Sequence, residues 1–445
     1  MRNLLASVVT VAIGLSPLVA FGQAATPADE LAAAPAAAPA QSAPAPVTPA
    51  DVTPAVAAAP PAPAAPATPA APPPIAFTWE ALVDAYYMYN FTGKPSLQGP
   101  GAPRQFDVAA NSFSLNYAKL GVGVDTQYVA FRMDLGAGHM AALINGAGGL
   151  ASASVPAGAP PTVPATLSAS QYGNDFVVQQ AFATVKPTAW LSVDAGRFVT
   201  TASAEVIEAN KNWLYSRSML FYGVPLLHTG VRVNTTVNPS LKLQASLVNG
   251  WNNDPDNNIG KTFGANATFA PPDSGLNASL TGYIGKETTA GSGGNTRVLI
   301  DGVFTKDIAQ ASVGLNIDYL KDGTPYWIGA AAMGKYTFTD LFNVAARFEL
   351  VSSKAGGYTS AFPTPTPPPV TTPPTPPAAD PRGGDVFLYE GTLMGGLTVA
   401  KHFELRLELR GDFANKEIFQ KGAATDVVYN RKNQFTGLLA FLAYF

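Results

Sequence analysis

The sequence has no cysteine and only three histidines, His139, His228 and His402, which lie far apart. The missing thiols exclude disulfide bonds and thiolate metal sites, and the histidines form no pair with the spacing of a zinc hydrolase. With 27 basic and 30 acidic residues, the net charge of −3 offers no basic surface for nucleic acid. No phosphate-binding loop or other cofactor motif is present. The sequence therefore predicts neither a cofactor nor a nucleic-acid partner.

Charged residues and long hydrophobic runs are also scarce. Charged residues make up 13% of the chain, and hydrophobic residues make up 47%. Beyond the first 21 residues, no run approaches the ~20 apolar residues that a membrane helix needs. Low charge without such runs is typical of a transmembrane β-barrel, whose strands alternate apolar and polar residues.

The N-terminal segments predict export and then a tether. An apolar run from Leu4 to Phe21 follows Arg2 and precedes small residues, so residues 1–24 read as a signal peptide. A membrane anchor is the alternative, although the run is short and no charged stop-transfer segment follows. Residues 25–74 are almost entirely alanine and proline, which predicts a disordered, polyproline-like periplasmic linker. Residues 75–445 then predict one transmembrane β-barrel domain.

Period-two alternation begins near residue 75. From Phe77 to Phe91 every odd position is apolar or aromatic, whereas the even positions include Glu80 and Asp84. A membrane-crossing strand needs this pattern, because successive side chains point to opposite faces and one face meets hydrocarbon. We predict an all-β fold, a transmembrane antiparallel up-and-down β-barrel of about 16 strands. These strands are expected near residues 77–91, 111–124, 127–137, 174–186, 189–199, 226–237, 241–250, 260–270, 276–286, 297–307, 310–320, 325–338, 341–352, 385–400, 403–413 and 433–445.

The connections between these strands alternate between short and long. Short links, such as 125–126 and 238–240, would face the periplasm together with both termini, whereas long links such as 200–225 would face outward. Two outer segments, 136–169 and 359–381, are rich in Gly, Ala, Pro and Thr and are predicted to be mobile surface loops. This sorting of loop lengths favours a barrel over a soluble sheet.

The inner face of the predicted barrel is charged. In the strand at 403–413, apolar residues alternate with Glu404, Arg406, Glu408, Arg410 and Asp412. Each charge would cost about 2–4 kcal/mol against lipid near the midplane, so these side chains need water or partners inside. Two interpretations stay open: the charges pair to stiffen the wall, or they select solutes.

The third external loop, residues 200–225, is neither Gly/Pro-rich nor uniformly polar. It predicts a short helical turn capped by Ser203, with Trp213 and Tyr215 packing inward, folded inside the lumen where it narrows the pore. We expect Glu205 and Glu208 to face Arg197, Arg232, Arg406 and Arg410 across the lumen in a transverse field. Packing over the rim is the alternative. The candidate pore-lining and constriction residues are Arg197, Glu205, Glu208, Asn212, Arg217, Arg232, Lys242, Arg347, Glu349, Glu404, Arg406, Glu408, Arg410 and Asp412.

Several runs in the chain carry a family resemblance: Val178-Gln-Gln-Ala-Phe182, Gly196-Arg-Phe198, Glu205-Val-Ile-Glu208, Asn212-Trp-Leu-Tyr-Ser216, Pro225-Leu-Leu-His-Thr-Gly-Val231 and Leu247-Val-Asn-Gly-Trp251. From Ile75 to Phe445 the chain resembles the bacterial outer-membrane β-barrel porins of the OmpL-like type (β-barrel porin type 2). The resemblance implies passive diffusion of small hydrophilic solutes. The chain departs from the family at 201–203, where a glycine is common, and in a proline-rich insertion at 363–377.

The sequence thus predicts a porin of the cell outer membrane, with outer-membrane lipid, lipopolysaccharide and small hydrophilic solutes as partners. Phe445 is expected to be read by the barrel assembly machinery, and the sequence leaves a homotrimer open. The inner positions of the last strand, including Leu438 and Leu442, are hardly polar, which predicts contact with something folded inside the barrel. A plugged adhesin or surface-structural barrel is the alternative function. An outer-membrane enzyme would need a Ser/His/Asp set, and the sequence pattern shows no such set around His139 or His228.

Overall fold

A computed structural model describes residues 75–93, 103–147, 176–287, 294–358, 384–419 and 431–445. The predicted signal peptide, the linker and the proline-rich insertion lie outside these residues. Sixteen strands account for most of the described chain. They are β1 Ala76–Asn90, β2 Ser112–Asp125, β3 Val129–Ala137, β4 Phe176–Thr188, β5 Leu191–Val199, β6 Leu227–Asn238, β7 Leu241–Val248, β8 Thr262–Phe269, β9 Leu276–Glu287, β10 Asn295–Ile308, β11 Ala311–Asp322, β12 Tyr326–Thr337, β13 Phe342–Lys354, β14 Val386–Ala400, β15 Phe403–Ala414 and β16 Asn433–Tyr444.

Each strand pairs antiparallel with the next, and β1 pairs with β16 to close the barrel. At the closure Tyr87 lies opposite Leu439, and Ala81 and Phe445 exchange two backbone hydrogen bonds of 3.0 and 3.1 Å. Closure leaves no free sheet edge, which a membrane requires because lipid cannot satisfy backbone donors and acceptors. The predicted sixteen-stranded antiparallel barrel is confirmed, with every strand boundary within two residues of its expected position.

The outer face is apolar and the inner face is polar. On β15, Leu407 is 60% exposed, whereas its neighbours Arg406 and Glu408 are 4% and 2% exposed. On β1, Phe77 and Trp79 project from the outer surface near the strand's first end. The inverted pattern, with exposed hydrophobic residues and buried charges, is the one that period-two alternation predicts for a strand between lipid and a lumen.

The described chain contains two α-helices, α1 (His139–Ala147) and α2 (Met219–Tyr222), and a 3₁₀ turn at Ala209–Lys211. Helix α1 falls within the segment predicted to be a mobile surface loop, so that prediction is wrong for its first part. The physical reason is a local run whose apolar residues Met140, Ala141 and Ile144 have helical spacing and are buried. None of the helices in the described ranges has the length and hydrophobicity to cross a membrane.

Candidate functional site

The connection between β5 and β6, residues 200–226, folds into the barrel, and we call it the lumen loop. Near its middle, the Tyr215 hydroxyl donates a hydrogen bond of 2.7 Å to Asp84 on β1, and the Tyr215 backbone N–H donates one of 2.8 Å to Glu408 on β15. The loop therefore spans the lumen from β5 to the opposite wall. Its predicted position inside the barrel, with Tyr215 packed inward, is confirmed.

The helical turn of the lumen loop lies later in the chain than expected. Ser218 caps α2, and its hydroxyl accepts a hydrogen bond of 2.9 Å from the Phe221 N–H. The predicted cap at Ser203 is wrong. Ser203 has φ +84°, outside the extended conformation of a helix N-cap, and its hydroxyl accepts from the Glu205 N–H at 3.2 Å. Ser203 thus forms a tight turn that directs the loop into the lumen.

Glu205 joins two parts of the lumen loop to β13. Its Oε1 accepts a hydrogen bond of 2.8 Å from Arg347, and its Oε2 accepts one of 2.7 Å from the Ser218 N–H. Arg347 also donates to the Ser216 carbonyl at 2.8 Å, and its side chain is 0% exposed. On the same strand, Glu349 accepts from the Met219 N–H at 2.8 Å. These charges hold the loop in place and are shielded from the lumen water.

Glu208 anchors the lumen loop to the other side of the barrel. It forms an ion pair with Lys119 on β2 and accepts a hydrogen bond of 3.0 Å from Gln179 on β4. Burial alone would raise the pKa of Glu208, but the nearby Lys119 and Lys211 lower it to about 2. Glu80 and Asp134 lie 2.7 and 3.1 Å from the same Lys119 ammonium. These three carboxylates have the spacing of a metal site, yet the ammonium already lies among them.

Buried arginines bind the backbone of the lumen loop. Arg406 donates to the carbonyls of Ala209 and Asn212, each at 2.9 Å, and Arg410 donates to the Arg217 carbonyl at 2.6 Å. Inside the loop, the Asn212 amide donates to the Val206 carbonyl at 2.8 Å, and Arg217 donates to the same carbonyl at 3.0 Å. A guanidinium offers five donors in a fixed arrangement, which suits it to carbonyls at a loop's turns.

The remaining acidic candidates on β15 pair with these arginines. Glu404 lies 2.9 Å from Arg406, and Asp412 lies 2.8 Å from Arg410. Both carboxylates are at most 6% exposed. The charged inner face of β15 is thus an anchoring surface for the lumen loop.

The expected transverse arrangement is wrong for Arg197 and Arg232. Arg232 donates a hydrogen bond of 2.6 Å to Asp194, and Arg197 lies 3.4 Å from Asp254, so neither faces Glu205 or Glu208. The reason is strand register: Asp194 lies directly opposite Arg232 across the β5–β6 ladder, where opposite charges pair. Arg406 and Arg410 do contact the lumen loop, but through its carbonyls. Glu205 and Glu208 are paired with Arg347 and Lys119 instead.

The described residues 103–108, between β1 and β2, also lie in the lumen, which the sequence pattern did not predict. Arg104 donates to Asp412 at 3.0 Å and to Thr436 at 2.8 Å, and it pairs with Asp107. Between them, Phe106 lies 6.0 Å from the ring of Phe221. The sequence feature that could have predicted this contact is a charged pair three residues apart around an aromatic residue, in an otherwise uncharged stretch.

The wall formed by β6, β7 and β8 is arranged differently. Its inward side chains Asn234, Gln244 and Asn266 are half-buried, and Lys242 is exposed. Gln244 donates to Asn234 at 2.8 Å, and Asn266 donates to Thr281 on β9 at 2.9 Å. Within the described ranges, Asn234, Gln244 and Asn266 make no hydrogen bond to the lumen loop. The polar side chains of this wall, which we call the accessible wall (β6–β8), therefore border the open part of the lumen.

A closed sixteen-stranded barrel with an apolar outer face and a loop folded across its interior defines a porin-type barrel of the bacterial outer membrane. Residues 76–445 match the family described as beta-barrel porin-2, OmpL-like, and the chain belongs to this family. A comparison with curated protein sequences gives no significant match.

Solved structures of bacterial proteins are similar to this chain. An anion-selective porin from Comamonas acidovorans matches over 84% of this chain and 100% of its own, with 12% identity and a TM-score of 0.51. The trimer form of OmpT from Vibrio cholerae matches over 83% and 99%, with 11% identity and a TM-score of 0.50. Salmonella typhi OmpF in complex with daunomycin matches over 83% and 97%, with 11% identity and a TM-score of 0.49. At these identities the similarity concerns the fold alone.

Proposed function

We propose that the protein is a porin that lets small hydrophilic solutes or ions diffuse passively across the outer membrane. The observation that carries this proposal is the unequal lining of the lumen. The lumen loop is bonded to β1, β13 and β15, whereas the inward polar residues of the accessible wall keep contact with water. A polar wall beside a fixed loop is what a diffusion channel needs, because polar side chains replace the hydration that solutes lose on entering the pore.

The same proposal covers export and assembly. The signal peptide is cleaved, both termini face the periplasm, and the outer surface contacts lipid and lipopolysaccharide. Phe445, whose ring lies 4.9 Å from that of His402, is recognised by the barrel assembly machinery. The accessible wall carries Arg232 and Lys242, and we assign solute selection to these two residues and a preference for anions to the pore. An anion-selective porin of the same fold is consistent with this assignment.

The protein is not an enzyme in this proposal. His228, a candidate catalytic base, is 1% exposed, bonds the Gly250 carbonyl at 2.9 Å and stacks on Tyr283 at 4.6 Å. Within the described ranges, no serine or aspartate hydrogen-bonds to His228. A Ser/His/Asp mechanism requires both neighbours.

We also propose that three copies of the chain form a homotrimer through β6 to β9. Strands β7 and β8 have eight residues each. Beside them the outer face has a cavity of about 600 Å³, lined by small side chains including Ala245, Ala265 and Ala267. Short strands with small residues suit close packing against another protein wall better than contact with a full-thickness bilayer. The trimer form of OmpT, an outer-membrane protein with the same fold, is consistent with this assembly.

Liposome swelling tests the function directly. Proteoliposomes with the purified full chain should swell in isotonic arabinose and more slowly in larger sugars, because passage through a water-filled lumen depends on solute size. Protein-free liposomes are the control. A plugged adhesin barrel would admit neither class of sugar, and that result would reject the porin proposal.

A further inference from the structure

Two aspartates behind the lumen loop face each other without a cation. Asp301 on β10 lies directly opposite Asp318 on β11, and both are 0% exposed. Neither carboxyl forms an ion pair within the described ranges. Two buried carboxylates on directly opposite residues repel each other strongly when both are ionised. One of them must therefore be neutral, or a cation must lie between them.

The orientation of Asn316 decides between a proton and a metal ion. Its Nδ2 donates to Asp301 Oδ2 and to Asp318 Oδ1, each at 2.8 Å. Its Oδ1 accepts from the Ala204 N–H at 3.0 Å, which fixes the amide with its NH₂ toward both acids. The amide hydrogens thus occupy the place of a bridging cation. One oxygen of each carboxyl, Asp301 Oδ1 and Asp318 Oδ2, is buried without a hydrogen-bond partner, and a hydrogen on one carboxyl lowers the cost of burying two like charges side by side.

This acid pair holds the first turn of the lumen loop. The Ala204 N–H donates to Asn316, whose amide in turn donates to both aspartates. The Thr201 carbonyl accepts a hydrogen bond of 3.0 Å from Thr281 on β9. The turn at Ser203 has a positive φ, so these contacts hold a backbone conformation that most residues avoid.

In the part of the chain that the structure describes, no Lys, Arg or His forms an ion pair with either aspartate. On β13, Glu349 is the charged group that faces Asp318, and it lies 2.8 Å from Arg347. Arg347 is also the partner of Glu205 from the lumen loop. Opposite the pair, β9 contributes Thr281 and β12 contributes Gly329, neither of which titrates. Loss of the shared proton would leave two adjacent negative charges beneath the loop.

We propose that Asp301 and Asp318 are positioning residues for the lumen loop, and that their shared proton holds residues 201–205 against β10 and β11. When the proton is lost at higher pH, repulsion separates the carboxyls and releases this turn from the wall. The open lumen then widens beside the accessible wall. The inference rests on the proposed porin function, because a change in pore width matters only if solutes pass.

Single-channel conductance tests the proposal in planar bilayers between about pH 5 and pH 9, a range wide enough for the titration of a coupled carboxyl pair. The native chain should conduct more as pH rises. Asp318→Asn replaces the shared proton with permanent amide hydrogens, so it should lose this pH dependence and keep the conductance of the low-pH state. Asp322→Asn, on the same strand but bonded to Arg297 away from the loop, is the matched control and should keep the native pH dependence. A pH-independent native channel, or an unchanged pH response in Asp318→Asn, would overturn the proposal.

A second measurement does not require current. The chain has no cysteine, so Ala204→Cys introduces a unique thiol on the turn. Its labelling rate at high pH should be greater in the native background than in the Asp318→Asn background. The thiol ionises to the same extent in both backgrounds, so the difference in rate reports the release of the turn. Equal rates would overturn the positioning role even in a conducting channel, whereas unequal rates without current would reject only the porin function. If calcium changes the labelling rate at constant pH, the aspartates hold a bound cation instead of a shared proton. That result would overturn the proposal.

Discussion

Arg347 on β13 and Glu205 in the lumen loop form an ion pair of 2.8 Å that joins residues 142 positions apart in the chain. The Arg347 side chain is 0% exposed and also contacts Glu349 and Glu390, at 2.8 and 3.2 Å. One guanidinium therefore contacts three carboxyl groups beneath the loop. The ion pair anchors the loop to the wall, and its strength depends on the exclusion of water from the two charges.

Arg347→Met should destabilise the folded barrel by about 3–5 kcal/mol, because it leaves buried carboxylates without their cation. The midpoint of urea unfolding in detergent micelles measures the loss. Lys354→Met is the control, since Lys354 pairs with Asp385 at an exposed position and should change stability far less. Equal effects of the two variants would contradict the anchoring role of Arg347.

Glu208 should make the stability of the lumen loop sensitive to acid. Its pKa is lowered from 4.5 to about 2 in the folded protein, so its stabilising contribution is present above pH 4.5 and is lost as pH falls toward 2. Glu208→Gln should remove this part of the pH dependence. Protease cleavage within the loop, measured as a function of pH after acid exposure, checks the expectation. A native chain and variant with the same acid profile would contradict it.

Charge on the accessible wall should set ion selectivity. Arg232→Gln with Lys242→Gln should shift the reversal potential in a salt gradient toward cations, because both side chains border the open lumen. Lys261→Gln serves as the control, since Lys261 pairs with Asp256 in the connection between β7 and β8 and should leave selectivity unchanged. Selectivity that survives the double substitution would place the filter elsewhere.

The proposed subunit contact can be blocked by a bulky side chain. Ala265→Trp should shift the protein from trimer to monomer in size-exclusion chromatography with light scattering, because the indole fills the outer cavity beside β8. Ala332→Trp makes the same change on the outer face of β12 and should leave the oligomer intact. If both variants remain trimeric, the contact does not use β8.

Local patterns in the sequence were enough to predict the barrel wall. Side chains alternate in a strand regardless of what lies far away, so the alternation at residues 77–91 and 403–413 predicted both the strands and their faces. The poorly polar inner side of β16 also predicted a packed partner. That partner is the lumen loop, whose Tyr215 and Ala209 join Leu438, Ala440 and Leu442 in one buried cluster.

The sequence by itself determined the number of strands, their outward faces and the class of protein, because these depend on residues adjacent in the chain or in a neighbouring strand. Only the tertiary structure decided which inward charges hold the lumen loop and which border the open lumen. Arg406 and Arg232 look alike in the alternation, yet one binds loop carbonyls and the other pairs with Asp194 on the next strand. That difference depends on where a loop from one side of the barrel meets the opposite wall, and strand periodicity does not encode a contact across the lumen.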